Sequence, residues 1–118
     1  MSLEYCIRDV VLYALVNDMF RHTNRIVIND EGKVHRIITL AVLYGVDIKR
    51  LMDIYIKNPH DEDVRYIDTT VDTAYANIKK RNRKVCQMDY LPNETLLTYL
   101  QDFRITCEEA NRILNSMR

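Results

Sequence analysis

Glycine and proline are scarce, at two residues each in 118, and tryptophan is absent. So little turn chemistry argues against a sandwich or barrel of many short strands, which needs a breaker roughly every 8 to 12 residues. Neither sign of charge prevails either. The 17 basic and 17 acidic side chains cancel, so no global field draws the chain to nucleic acid or to an anionic membrane, and any such contact must come from a local patch. Long apolar runs are missing too: the longest, "VVLYALV" from Val10 to Val16, falls well short of the roughly 20 residues a membrane-spanning helix needs. No membrane segment is expected. Cysteine is limited to Cys6, Cys86 and Cys107, an odd number at wide spacing with no secretory pattern ahead of them. That reads as free thiols in a reducing, cytoplasmic setting.

What the chain does have is Ile, Leu, Val, Met and eight tyrosines arranged at helical spacing. The length predicts one domain over 1–118, and the fold class is mainly α: a compact bundle of about five to six helices with one short β-hairpin near residues 25–37. Ser2 can cap a first helix to Phe20, with Leu3, Ile7, Val10, Val11 and Ala14 toward a core and Leu12, Leu15 and Met19 outside that stripe. In "RIVINDEGKVHRI", β-branched residues flank the turn cluster Asn29 to Gly32, which predicts the hairpin. Two helices then meet about Gly45, Val46 and Asp47. Asn58 as cap, Pro59 at the first helical position and Asp61, Glu62 and Asp63 behind it predict a helix over 59–82, with paired Thr69 and Thr70 as its weakest point. The tail predicts a helix capped by Asn93 and a last one opened by a capping box, Thr106 with Glu109.

Signs of chemistry are sparse. His22, His35 and His60 are not spaced with each other or with cysteine as metal ligands, and no Gly-rich phosphate loop, Ser-centred elbow or Cys–His pairing is visible. The expectation is no catalytic residue, no metal and no cofactor. The stretch "IITLAVLYGVDIKRLMDIYI", Ile37 to Ile56, has helix-turn-helix spacing, with Ala41 where helices cross, Gly45 in the turn, and Val46, Leu51 and Ile54 locking the second helix. Read as a DNA-binding regulator, the chain would place Lys79, Lys80, Arg83 and Lys84 of "KKRNRK" on phosphates and Lys49, Arg50, Asn111 or Arg112 nearer bases. Yet cations are also what the end of any helix favours.

The leading expectation is therefore a non-enzymatic helical protein that acts through protein contacts, with itself as a homodimer or with another protein. Its candidate interface is Leu12, Leu15 and Met19 on the first helix and Ile48, Met52 and Ile56 on the helix after Gly45, because each helix carries more apolar surface than one small core hides. Tyr5, Tyr13, Tyr44, Tyr55, Tyr66 and Tyr75 suit the rim of a core or an interface equally. The compact, loop-poor chain would suit a small viral or phage accessory protein.

Overall fold

A computed structural model describes residues 3–20, 32–59, 64–82, 84 and 87–118. The chain is mainly α-helical, and no strand occurs among the described residues. Its contacts group into two compact units, Met1–Lys57 and Asn58–Arg118.

The first unit holds α1 (Leu3–Phe20), α2 (Lys33–Tyr44) and α3 (Ile48–Tyr55), with α2 packed on both of the others. Ile37, Ile38, Leu40 and Ala41 recur at the spacing of one helix face, and all four are buried. Ile48, Leu51, Met52 and Ile56 complete the core with Val10 of α1. Between α2 and α3 the chain turns at Gly45, which sits at φ 64° in the left-handed region and ends α2 through bonds from Gly45 and Val46 N–H to the Ala41 carbonyl. Asp47 then caps α3, its side chain accepting from the Lys49 N–H at 3.1 Å. A Cβ on residue 45 would meet open space, so the cost of Gly45→Ala is backbone strain alone, about 1–2 kcal/mol. Urea denaturation should show a loss of that size, and an unchanged midpoint would contradict the turn.

The structure corrects the hairpin. Lys33 to Ile37, its expected second arm, is the first part of α2, while 25–31 lies outside the described residues. Val34, Ile37, Ile38 and Thr39 carry strand propensity, but burial of the α2 face outweighs their few tenths of a kcal/mol per residue. Thr39 accommodates the helix by donating its hydroxyl to the His35 carbonyl.

The second unit holds α4 (Val71–Arg81), a turn of 3-10 helix over Gln87–Tyr90 and α5 (Asn93–Met117), with α4 on α5. Here the expected helix over 59–82 starts late. Residues 64–70 have no regular structure, and α4 begins where Thr70 caps it, the Thr73 N–H donating to Thr70 Oγ1 at 3.1 Å. Val64, Tyr66, Ile67, Thr69 and Thr70 all resist helix, while Asp61 to Asp63, the acidic start, lie outside the described residues. The two expected tail helices are one. Leu96, Leu100, Phe103, Cys107, Ala110 and Leu114 alternate four and three apart and form the inward stripe of an uninterrupted α5. Inside it Thr106 caps nothing and instead donates its hydroxyl to the Asp102 carbonyl at 2.7 Å. Pro92, not Asn93, occupies the cap position.

Candidate interaction surfaces

The orientation of α1 follows from its few polar anchors. Arg36 of α2 pairs with Asp9, and its guanidinium lies 5.4 Å from the centre of the Tyr13 ring. These contacts turn Asp9, Val10, Tyr13 and Ala14 inward: Val10 is buried and the other three are half-buried. The opposite side is exposed. Leu3, Ile7, Val11, Leu15 and Met19 follow one another every fourth residue along a single exposed ridge. The neighbouring row is Glu4, Arg8, Leu12 and Val16, charged in its first half and apolar in its second. Toward the end of α1 the two rows merge into one apolar surface of Val11, Leu12, Leu15, Val16 and Met19, where Leu12 is 51%, Leu15 59% and Met19 74% exposed. Arg8, one turn before it, and Asp18 are the charged, exposed residues described at its margin.

Two corrections follow for the candidate interface. Leu3, Ile7 and Val11, expected in the core, lie on the exposed ridge. Ile48, Met52 and Ile56, expected to face a partner, are buried, Met52 completely. The apolar excess of α3 is thus consumed in the core, whereas that of α1 stays outside.

The helix-turn-helix positions divide similarly. Ala41 and Leu51 are buried and Gly45 makes the turn, but Ile54, expected to lock α3, is 50% exposed beside the exposed Lys49, Arg50, Asp53 and Lys57. In the second unit Lys79, Lys80 and Lys84 are exposed around the end of α4, where Asn82 takes the left-handed conformation. Lys79 lies over the Tyr75 ring and Lys84 over that of Tyr90, while Arg81 pairs with Asp89 at 2.8 Å. Arg83 lies outside the described residues. On α5 Arg112 is exposed and Asn111 half-buried, with acidic Glu108 and Glu109 a turn before them.

Tyr13, Tyr44, Tyr55, Tyr75 and Tyr99 are half-buried, at the rim of the packing. Cys107 is a half-buried free thiol whose pKa burial, aided by Glu108, pushes up to about 11. Such a thiol is a packing group rather than a nucleophile at neutral pH. His22 and His60 lie outside the described residues, and no group of three His, Cys, Asp or Glu is placed to hold a metal among those described. No described helix is long and apolar enough to cross a membrane. Compared with known proteins, the chain matches no family model, no curated protein and no solved structure. Its function is argued from its surfaces.

Proposed function

We propose that this chain is a non-enzymatic protein that works by protein contact, and that the surface it uses is the second half of α1, docked on a second copy of itself. One observation carries the reading: Val11, Leu12, Leu15, Val16 and Met19 are contiguous, large, apolar and exposed together. Scattered exposed apolar residues are ordinary, but a contiguous patch on a rigid helix is what contact surfaces use. A second copy is the favoured occupant because an apolar patch whose described charged neighbours, Arg8 and Asp18, have opposite signs can be complementary to itself, and closed two-fold dimers are the commonest assemblies. The test is the solution mass of the chain with and without charge on this face.

A second reading, contact with duplex DNA, is favoured by the left-handed Gly45 between α2 and α3 and by the exposed Lys79, Lys80 and Lys84. On that reading Lys79→Glu with Lys80→Glu weakens duplex binding at low salt. It also lowers the slope of log affinity against log salt by about two, roughly one released counterion per lost phosphate contact. Binding that this pair leaves untouched would remove the patch from the reading, and no binding even at low salt would remove DNA.

A further inference from the structure

The stretch before α4 is an exposed part of the second unit. Val64 to Thr70, "VRYIDTT", has no regular structure and contains neither proline nor lysine. Strand formers dominate it. Among the described residues, Tyr66, Ile67, Asp68 and Thr69 make no hydrogen bond to another backbone group. Its side chains are exposed from Arg65 to Thr70, with two points of attachment. Val64 is half-buried, and Asp68 meets Arg104 of α5 at 3.4 Å. Tyr66 donates its hydroxyl to Asp68 at 3.2 Å, and partial burial together with the Asp68 charge raises its pKa. Ile67 is the most exposed large apolar residue among those described, at 86%.

We propose that residues 64–70 pair antiparallel with the same residues of a second copy, forming a two-stranded ribbon centred on Ile67. This goes beyond the contact proposed for α1 and uses a separate surface. Open backbone groups on a β-branched segment are a template for another strand, and folded proteins usually blunt such an edge with lysine, proline or a bulge. Neither lysine nor proline occurs in it. The register follows from two-fold symmetry, which requires opposite residues to share parity. Centred on Ile67, it sets Ile67 against its counterpart, Tyr66 against Asp68, Arg65 against Thr69 and Val64 against Thr70. No like charges meet, and the apolar residue most in need of cover is covered. Centring on Asp68 would oppose two carboxylates, and centring on Tyr66 would set Val64 against Asp68 and leave Ile67 facing Arg65. An isolated two-stranded ribbon is marginal, but here each strand is tethered to its own α5 through Asp68 and Arg104.

Cysteine cross-linking of the full chain tests both the pairing and its register. Directly opposed Cβ atoms lie about 4.5–5.5 Å apart, close to what a disulfide spans, whereas residue 65 or 69 would be about 13 Å along the strand from its own counterpart. With diamide as oxidant, Ile67→Cys should form a disulfide-linked dimer at least tenfold faster than wild type, Arg65→Cys or Thr69→Cys. Arg65→Cys combined with Thr69→Cys should recover the rapid reaction. Equal rates for the three single variants, or Ile67→Cys no faster than wild type, would overturn the ribbon. Repeating Ile67→Cys with Leu12→Glu and Leu15→Glu separates the two surfaces. Rapid cross-linking retained there supports an independent ribbon, and its loss there overturns it.

Discussion

Met52→Ala is expected to cost about 2–5 kcal/mol of folding stability at every protein concentration. Met52 is fully buried, in a helix whose other inward residues, Ile48 and Leu51, are also buried. Removing its side chain leaves a cavity in the core between α3 and α2, where Ile37 and Leu40 of α2 are themselves essentially inaccessible, so relaxation can fill little of it. At a typical urea dependence for a small protein, that is a midpoint lowered by about 1 M or more. Leu15→Ala should behave differently. Leu15 is 59% exposed, so its truncation leaves the dilute, unassociated chain within about 0.5 kcal/mol of wild type and lowers stability only where association contributes to it. Urea melts of both variants at two concentrations separate the cases. A concentration-dependent Met52→Ala, or a concentration-independent loss at Leu15→Ala, would exchange the roles assigned to α3 and α1.

The α-helical class, α1 and the helix pair about Gly45 were legible in the sequence because each rests on local signals: apolar spacing, and a glycine where φ must be positive. Which face of α1 is buried was not. Its apolar residues occur almost all round, so periodicity alone puts Leu3, Ile7 and Val11 inside; the contacts of Asp9 and Tyr13 with Arg36 decide the matter, and they join residues 27 and 23 positions apart. The apolar excess of α3 is hidden for a related reason, since an eight-residue helix can spend its whole apolar content on one core. At 59–82, the start signals at Asn58 to Asp63 point to a helix that the strand formers after them do not continue, and α4 begins at the weak point that paired Thr69 and Thr70 mark. Thr106 with Glu109 satisfied a motif in the interior of a longer pattern. The four-and-three spacing through Phe103 and Cys107 was readable and would have excluded a break there.

Leu12→Glu with Leu15→Glu is expected to dismantle association through α1 without unfolding the chain. Each large side chain removed from water at a contact contributes about 1.5–3 kcal/mol before the entropy cost of association. Five such side chains meeting their counterparts can hold a dimer at micromolar concentration, whose standard free energy is about 8 kcal/mol. Two glutamates set in the middle of the patch replace that gain with carboxylates that would have to be desolvated against apolar groups and against each other. In the separate chain the same glutamates stand in solvent, where Leu12 and Leu15 already are, so helicity and thermal unfolding of the dilute protein should change little. Light scattering at micromolar concentration, on wild type and this variant side by side with circular dichroism on the same samples, tests the claim most directly. The expected result is a wild-type mass at least twice the 14.0 kDa of one chain, falling to half or less in a variant that remains folded. A folded wild-type monomer, a variant with the wild-type mass, or a variant that unfolds instead of dissociating would contradict it.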